Sequence, residues 1–328
     1  MSDEKNLFLE MTEPWQQDYL TKQSEGLGRA IFSEKTAPDL PPGAEESDIL
    51  SVFINSKVDL RTFQKMPHLK LITTRSTGFD HIDLKEARRR NIAVANVPAY
   101  GENTVAEHTF ALILSLSRNL RKAYFKMREG DFSLDGLMGF DLKGKRLGVV
   151  GTGHIGLHVI RMAKGFGMEV LAYDVKQNDF LADVLDFQYV SLDELLGASD
   201  IISLHLPYRK ATHHLIHAGN VSQIKRGAIL INTARGGLVE TAALVKALDE
   251  RILAGAGLDV LEGEELMPAL KDHTLLHRDN VIFTPHMAFY SKEAVTRILE
   301  ATVQSIASFR AGTCQSHKNF INAAADSR

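Results

Sequence analysis

The sequence is poor in cysteine: Cys314 is the only one among 328 residues, so no disulfide can form within the chain. A single thiol also excludes a cysteine-ligated metal cluster and favours a reducing compartment, so we expect a cytoplasmic location. The N-terminal stretch MSDEKNLFLE is polar and acidic and lacks the pattern of a signal peptide. The apolar run FALIL at 110–114 is far too short to cross a bilayer, and we expect no membrane partner.

The sequence also lacks an excess of charge, because 38 basic residues stand against 41 acidic ones for a net charge of −3. A chain this close to neutral has no strong field to attract a polyanion, and we expect no nucleic-acid partner. The densest basic run, KEARRR at 85–90, is predicted to be the solvated last turn of a helix, where cations suit the helix dipole. The composition, 44% hydrophobic and 24% charged, is that of a globular protein, and the length predicts about two domains.

From about residue 142 onward, apolar strands alternate with amphipathic helices. Strands are predicted at 146–150, 169–173, 200–206, 227–232, 255–258 and 281–283, and helices at 155–166 and 239–251. SLDE at 191–194 predicts a capping box that opens a further short helix. The strands are apolar throughout instead of alternating, which is typical of a parallel sheet covered by helices on both faces. The pattern therefore predicts a doubly wound α/β fold.

The first hundred residues show the same alternation less clearly. Strands are predicted at 48–54, 69–73 and 92–96, and the proline and glycine of VPAYG at 97–101 predict a domain break. The helix that follows, predicted at 102–120, is apolar on most faces, so we expect it to be buried, either within the chain or against a second subunit. A C-terminal helix at 291–309 could return the chain to the first domain, which would leave a cleft for ligands between two domains.

A glycine motif lies between the first strand of the second half and its helix. Gly151, Gly153 and Gly156 have the GxGxxG spacing, and Asp174 ends the next strand, 174 − 151 = 23 residues on. In a dinucleotide-binding fold these glycines permit a tight turn, a close approach of pyrophosphate and close helix packing, and the acid about 20 residues on binds the ribose. Asp174 would repel a 2′-phosphate and so favours NAD, although Lys176 leaves NADP open. A tight turn without a ligand is the alternative.

Three polar segments follow three predicted strands of the second half: NTARGG at 232–237, GLDVLEGE at 257–264 and Pro285 with His286. Because the carboxyl ends of parallel strands line the ligand crevice, an arginine, a carboxylate and a histidine could converge there. His286 by itself could equally be a core residue, a metal ligand or a proton carrier. His213, His214 and His217 could imitate a metal site, but no cysteine and no clear carboxylate completes a tetrahedral set, so we expect no metal.

Five segments occur in a characteristic order: GTGHIG at 151–156, HLP at 205–207, NTARGG, LDVLEGE and then TPH at 284–286. In this the sequence resembles the D-isomer-specific 2-hydroxyacid dehydrogenases over nearly its whole length. The resemblance implies two doubly wound parallel-sheet domains. A Rossmann NAD-binding domain at 100–296 would be inserted into a smaller flavodoxin-like substrate domain formed by 1–99 and about 297–328. It also implies a homodimer through the 102–120 helix.

The resemblance assigns the three catalytic roles. Arg235 would grip the substrate carboxylate with its planar fork, and His286 would be the general acid and base. Glu264, 264 − 235 = 29 residues after the arginine, would pair with the histidine, whereas its neighbours Glu262 and Glu265 do not have the family spacing. A carboxylate beside the imidazole stabilises its protonated form, so the set suits transfer of a hydride and a proton at a carbinol next to a carboxylate.

The resemblance also assigns residues to substrate and cofactor. The substrate residues would be Thr77, Gly78, Tyr100 and Phe289. The NAD-binding residues would be Gly151, Gly153, His154, Ile155, Gly156, Asp174, His205, Pro207, Thr233, Ala234 and Asp259. Tyr100 and the AFY at 288–290 are typical of the D-lactate branch, which favours pyruvate or a small alkyl homologue. Met287 departs from the small or β-branched residue that is common there.

Other functions are possible for a chain with these motifs. A glyoxylate or hydroxypyruvate reductase, or a phosphite dehydrogenase, would use the same fold, while Glu264 argues against formate oxidation because glutamine is expected there. An alternative of another class is an NAD(H)-sensing corepressor-like interaction protein. The sequence itself leaves open the side chain of the keto acid and the physiological direction.

Overall fold

The computed structural model describes residues 4–263 and 273–322. Within this part, the chain up to Tyr100 together with the chain from Ser291 onward forms one compact unit, and Gly101–Tyr290 forms the other. We call them the outer unit and the inserted unit. Each contains its own sheet of mainly parallel strands, which confirms the predicted class of two doubly wound α/β domains.

The outer unit contains six described strands and four helices of the α type. They are β1 (Lys5–Phe8), α1 (Pro14–Gln23), β2 (Arg29–Phe32), β3 (Ile49–Val52), α2 (Leu60–Lys65), β4 (Leu71–Thr74), α3 (Leu84–Arg89), β5 (Ala93–Ala95) and, at the C-terminal end, α10 (Lys292–Arg310) and β13 (Phe320–Asn322). Helix α10 packs against β4 and α1. The basic run at 85–90 was expected as a last turn only, but it covers nearly the whole of α3, where Arg89 and Arg90 both donate to Glu86.

The sheet of the outer unit has the strand order β13-β5-β4-β3-β1-β2. Strands β2-β1-β3-β4-β5 are parallel in the flavodoxin-like order, as predicted. Strand β13 pairs antiparallel with β5 at the edge, so the sheet is mixed and not purely parallel. The prediction from sequence did not include β1, β2 or β13, because their pairing with neighbouring strands, and not a local pattern, makes them strands.

The inserted unit begins with two helices, α4 (Glu102–Ser117) and α5 (Leu120–Arg128). Then follow β6 (Arg146–Val150), α6 (His154–Gly165), β7 (Glu169–Tyr173), α7 (Asp179–Leu185), β8 (Gln188–Tyr189), α8 (Leu192–Ala198), β9 (Ile201–Leu204), β10 (Ala228–Asn232), α9 (Thr241–Asp249), β11 (Leu253–Leu258) and β12 (Val281–Phe283). All pairs in its sheet are parallel, in the order β12-β11-β10-β9-β6-β7-β8. This is the Rossmann order with one additional strand beside β11.

The long helix predicted from 102 to about 120 is present, and it ends three residues before that bound. Helix α4 ends at Ser117, Asn119 adopts a left-handed φ of 51°, and α5 starts at Leu120. The physical reason lies in the returning chain, where the Phe140 N–H donates to the Ser117 carbonyl at 2.9 Å. Gly139 allows this approach, because a Cβ there would lie 2.2 Å from the same carbonyl oxygen. The end of α4 is thus satisfied from outside the helix.

Helix α5 and the segment after it expose an unusual number of large apolar side chains. They are Leu120, Tyr124, Phe125, Met127, Phe132, Leu134 and Met138, and the last of them is 94% exposed. We call this set the apolar arm. Exposed apolar surface of this extent is typical of a protein–protein interface.

Candidate active site

The glycine loop lies between β6 and α6, and two of its three glycines are required by the fold itself. Gly151 has a φ of +103°, and a Cβ there would lie 2.8 Å from the His205 carbonyl oxygen. At Gly156 a Cβ would lie 2.0 Å from the Gly151 carbonyl oxygen, so only glycine lets α6 pack this closely. Gly153 differs, because a Cβ there would meet no protein atom within 4 Å. The space beside Gly153 is therefore open for a ligand at the helix N-terminus.

Asp174 follows β7 and contacts the glycine loop directly. Its Oδ2 accepts from the Thr152 N–H at 2.7 Å and from the Thr152 hydroxyl at 3.2 Å, while Oδ1 accepts from the Lys176 N–H at 2.9 Å. The side chain is half-buried, and these bonds fix its orientation at the carboxyl edge of the sheet. A carboxylate has about four acceptor positions, so it can still accept hydroxyl groups of a ligand.

Arg235 lies in the loop after β10, and a buried asparagine holds that loop. The Asn232 side chain donates to the Arg235 carbonyl at 2.9 Å and accepts from the Ala234 N–H at 3.1 Å. The Arg235 guanidinium is half-buried and donates to the Ala234 carbonyl at 2.7 Å. Gly236 then packs against the backbone of Leu261, where a Cβ would lie 2.1 Å from the carbonyl carbon. Asn232 was not predicted as a site residue, although it stood in the quoted motif.

His286 lies in the turn after β12 and adopts a left-handed φ of 50°, which is uncommon for a residue other than glycine. Its N–H donates to the Asp259 carbonyl at 2.9 Å. The Asp259 carboxylate, which is completely buried, accepts from the N–H groups of Met287 at 2.9 Å and Ala288 at 2.8 Å. Its oxygens also accept from the Thr284 hydroxyl at 2.5 Å. Asp259, predicted as a cofactor contact, therefore holds the histidine turn.

Glu264, the predicted partner of His286, lies outside the described residues. Its neighbour Glu262 is described, and both of its carboxylate oxygens have hydrogen-bond partners. Oε1 is 2.5 Å from His214 Nε2, and Oε2 accepts from the Thr241 hydroxyl at 3.0 Å. Burial acts to raise the pKa of Glu262, but the hydrogen bonds from His214 and Thr241 outweigh it and lower the pKa. The His213 ring stacks on His214 at 3.7 Å between centroids. His213 itself is exposed, whereas His214 holds Glu262 in the segment after β11.

Known proteins resemble this chain over most of its length. A family model described as "D-isomer specific 2-hydroxyacid dehydrogenase, NAD binding domain" matches residues 110–288. The D-lactate dehydrogenase kk1H of Curvularia clavata is 40% identical over 80% of this chain and 78% of its own. The chain belongs to the D-isomer-specific 2-hydroxyacid dehydrogenases.

Two further relatives show the breadth of this dehydrogenase family. A glyoxylate reductase of Korarchaeum cryptofilum is 39% identical over 82% of this chain and 81% of its own. The structure of a D-lactate dehydrogenase from Aquifex aeolicus, complexed with NAD and lactic acid, matches with a TM-score of 0.88 and 38% identity. That match covers 98% of this chain and 99% of the Aquifex chain.

The dehydrogenase fold of this chain fits NAD, the cofactor that the sequence predicted. The open space at Gly153 lies at the start of α6, where N–H groups and the helix dipole favour a pyrophosphate, and Asp174 stands at the end of the next strand. His154 is exposed and Ile155 half-buried in the first turn of that helix. Thr233 is buried, with its hydroxyl 3.0 Å from that of Thr109 on α4.

His205 and Pro207 follow β9 on the same edge of the inserted sheet. Ser203 Oγ lies 2.8 Å from His205 Nε2, and burial lowers the pKa of His205 to about 3. The ring is therefore neutral at ordinary pH and could meet a nicotinamide or ribose group without adding charge. Pro207 is exposed, and its carbonyl accepts from the Thr212 hydroxyl at 2.8 Å.

The predicted substrate residues are divided between the two units. In the outer unit, the Thr77 hydroxyl donates to the Val97 carbonyl at 2.8 Å, and Ser76 donates to the Gly78 carbonyl at 2.7 Å. Both hydrogen bonds join a hydroxyl group to a carbonyl group and involve no N–H group. They therefore suit a loop whose N–H groups bind a carboxylate. The carbonyl of Tyr100 accepts from Arg297 at 2.5 Å. In the inserted unit, Phe289 is half-buried and its ring contacts Tyr290 edge-to-face at 5.6 Å.

The described residues contain neither a metal site nor a membrane-spanning helix. No group of three histidine, cysteine, aspartate or glutamate side chains among them could hold a metal ion. No helix within residues 4–263 and 273–322 is long and apolar enough to cross a membrane.

Proposed function

We propose that this dehydrogenase uses NAD to interconvert pyruvate, or a small alkyl homologue of it, and the corresponding D-2-hydroxy acid. The observation that supports it most directly is the bracing of Arg235 and His286 at the carboxyl edge of one parallel sheet. Asn232 fixes the loop of the arginine and Asp259 fixes the turn of the histidine. Preorganised groups of this kind, a carboxylate clamp beside a proton donor, are what reduction of a 2-keto acid needs.

When bound, NADH would supply a hydride from its nicotinamide ring to the carbonyl carbon, and NAD would accept that hydride in the reverse direction. The Arg235 guanidinium binds the substrate carboxylate through two parallel hydrogen bonds, which orients the adjacent carbonyl. During reduction, protonated His286 gives its proton to the carbonyl oxygen, and during oxidation the neutral ring takes the proton from the hydroxyl. Glu264 stabilises the imidazolium between these events. The resemblance assigns Thr77 and Gly78 to the substrate, so the outer unit, which contains both, is proposed as the substrate domain.

The relatives support a small unphosphorylated substrate and also define the main alternative. They include D-lactate dehydrogenases and a glyoxylate reductase, two activities that share the carboxylate and the carbonyl and differ in the group beyond the carbonyl. Phe289 offers an aromatic ring to that group, which favours the methyl of pyruvate over the hydrogen of glyoxylate. Glyoxylate or hydroxypyruvate is therefore the second candidate.

We also propose that the protein is a homodimer in which the apolar arm is covered by the second subunit. The exposed side chains of α5 and the following segment form one continuous stretch of chain, and they adjoin the α4 helix for which a subunit contact was predicted. Sedimentation of the wild type at micromolar concentration would give twice the mass of one chain. Substitution of Leu134 and Met138 by lysine would shift it towards the monomer, and a monomeric wild type would contradict the proposal.

The activity is tested by initial rates of NADH oxidation with a panel of keto acids. The panel contains pyruvate, 2-ketobutyrate, 2-ketoisocaproate, phenylpyruvate, oxaloacetate, glyoxylate and hydroxypyruvate, with NADPH in place of NADH as the cofactor control. We expect the highest kcat/KM for pyruvate or an alkyl homologue, D-configured product and a clear preference for NADH. A preference for glyoxylate or hydroxypyruvate would keep the mechanism and overturn the substrate.

A matched pair of variants tests the carboxylate clamp. Arg235→Lys keeps the charge but removes the planar fork, so we expect kcat/KM for the keto acid to fall by about 10²-fold while NADH binding is retained. Arg209→Lys makes the same change at an exposed position in the same unit and should have no effect.

Tight NADH binding by a wild type that turns over none of the panel would favour the sensor function or phosphite oxidation.

A further inference from the structure

The turn that carries His286 needs an external restraint. A left-handed φ of 50° is disfavoured for histidine, so the turn persists only where its surroundings determine it. The restraint is the Asp259 carboxylate, which accepts the N–H groups of the two following residues. A proton carrier must be placed to within a fraction of an ångström, and its efficiency therefore depends on what holds Asp259.

Asp259 is in turn connected to helix α4 through Thr284. The Thr284 hydroxyl lies 2.5 Å from Asp259 Oδ1 and 3.0 Å from His108 Nε2. A hydroxyl has one proton, and it donates this proton to the carboxylate, so it must accept from the histidine. His108 Nε2 therefore carries a proton and lies at the donor end of a chain that runs through Thr284 to Asp259. The same nitrogen is 3.5 Å from Asp259 Oδ1, which adds a second, weaker attraction.

We propose that His108 is a positioning residue for the proton carrier: its Nε2–H orients the Thr284 hydroxyl, which fixes Asp259 and thereby the turn of His286. This inference rests on the proposed function of His286. As a positioning residue, His108 does not touch the reacting atoms. Its side chain is only 17% exposed, so water competes little for the Nε2–H bond, and the bond holds one geometry.

Helix α4 also contacts the loop that carries Arg235, through Thr109, the residue next to His108. The Thr109 hydroxyl lies 3.0 Å from that of Thr233, two residues before Arg235. Since α4 packs across β10, β11 and β12, one rigid helix fixes the loops of both the carboxylate clamp and the proton carrier. The spacing between these two loops would thus be set by the helix and not only by the sheet.

Four variants separate the hydrogen bond from packing. His108→Leu removes the donor but keeps an apolar body, whereas His108→Gln keeps an N–H donor at a similar reach. Thr284→Val removes the relay hydroxyl, and Thr284→Ser keeps it. We expect kcat/KM for the keto acid to fall about ten-fold in the leucine and valine variants, the effect of one lost oriented hydrogen bond, with no further loss on combining them. The glutamine and serine variants should stay within about three-fold of the wild type.

Two further readouts exclude a general structural defect. The Kd for NADH should change much less than kcat/KM in His108→Leu, because Asp259 is only one of the predicted NAD-binding residues, and the glycine loop and Asp174 lie elsewhere on the edge of the sheet. The ring Cε1–Hε1 resonance of His286, identified by its absence in His286→Asn, should shift or split in His108→Leu and stay in place in His108→Gln. Glu107→Gln, an exposed change on the same helix, should alter neither quantity.

An unchanged kcat/KM together with an unmoved His286 resonance in His108→Leu would overturn the inference. A glutamine variant as impaired as the leucine variant would do the same, because it would show that the shape of the ring matters and not its donor. A wild type without keto-acid turnover would defeat the proposed function alone, and the resonance would still decide whether His108 fixes the turn.

Discussion

Each of the two sheets holds one buried charge at its carboxyl edge, and the two charges have opposite signs. In the outer unit Arg75, 4% exposed, donates to the Leu9 carbonyl at 2.5 Å and to Ser51 Oγ at 2.9 Å. In the inserted unit Asp259 accepts N–H groups of the turn that carries His286. The cation binds carbonyls that end strands, whereas the anion binds N–H groups that begin a turn. A buried charge is tolerated in both places because backbone dipoles of the opposite sense surround it.

The two buried charges are expected to have different roles, one in stability and one in activity. The Arg75 cluster joins β1, β3 and β4 within the core of the outer unit, so we expect its loss to cost stability. The Asp259 cluster supports a single exposed turn with a titratable side chain, so we expect damage there to cost activity. Four variants should differ in the size of their effect, and the first two, at His286 and Arg75, test this contrast directly.

The largest effect is expected at the histidine turn. His286→Asn removes the proposed proton carrier, while asparagine adopts the left-handed conformation readily and keeps the turn. We expect kcat to fall by about 10²–10⁴-fold, with NADH affinity and the free energy of unfolding unchanged. Stopped-flow and equilibrium titrations measure these quantities. His158→Asn on α6 is the control, and near-normal turnover by His286→Asn would remove the histidine from the mechanism.

The second effect is expected at the buried cation. Arg75→Met leaves the carbonyl of Leu9 and the hydroxyl of Ser51 without their donor, so unfolding of the outer unit should become easier by about 3 kcal/mol. Denaturant titration measures this change. The exposed Arg89→Met, which removes a surface pair with Glu86, should leave the free energy of unfolding almost unchanged. Equal losses in the two variants would contradict a structural role for Arg75.

The third effect concerns His205, whose pKa burial lowers to about 3. Between pH 6.5 and 3 the unfolded chain binds a proton here that the folded chain does not, so stability is complete above pH 6.5 and is lost as the pH falls towards 3. His205→Gln should reduce the loss of unfolding free energy between pH 7.5 and 5 by about 2 kcal/mol. Denaturant titrations at the two pH values test this, and an identical pH dependence in both proteins would show that His205 is not desolvated.

The smallest effect is expected at Gly153, the glycine that lies beside open space. Gly153→Ala introduces a Cβ that meets no protein atom, so folding should be normal while NADH affinity falls by about ten-fold, because the methyl would occupy the approach of the pyrophosphate. Gly165→Ala, also open and at the other end of the same helix, should leave affinity unchanged. Fluorescence titration with NADH compares the two. Equal affinities would place the pyrophosphate elsewhere.

The inserted unit was the easier part to predict. Strands at 146–150, 169–173 and 281–283 were predicted to the residue, because continuous apolar runs bounded by glycine and polar clusters give a strong pattern. The capping of α8 by Ser191, which accepts the Glu194 N–H at 3.2 Å, was also evident from the sequence. In the outer unit β1, β2 and β13 were missed because pairing to neighbours, and not local pattern, makes them strands.

The candidate site divides in the same way. Sequence identified Arg235, Asp259 and His286, because each stands in a motif next to the end of a strand. The supporting residues His108 and Thr284 had no such signal, since they are 176 positions apart and meet only when α4 lies across the sheet. Glu262 and its His214 partner, 48 positions apart, show the same limitation.

The sequence by itself determined the class of fold, the glycine loop, the acid after β7 and the residue types that are proposed to bind a carboxylate and move a proton. These properties depend on short-range pattern and on side-chain chemistry, which are local. Only the tertiary structure decided which groups hold those residues in place: Asn232 for the arginine loop, Asp259 for the histidine turn and His108 behind it. Hydrogen bonds across the sheet and its helix join residues that are far apart in the chain, and their geometry exists only once the core has packed.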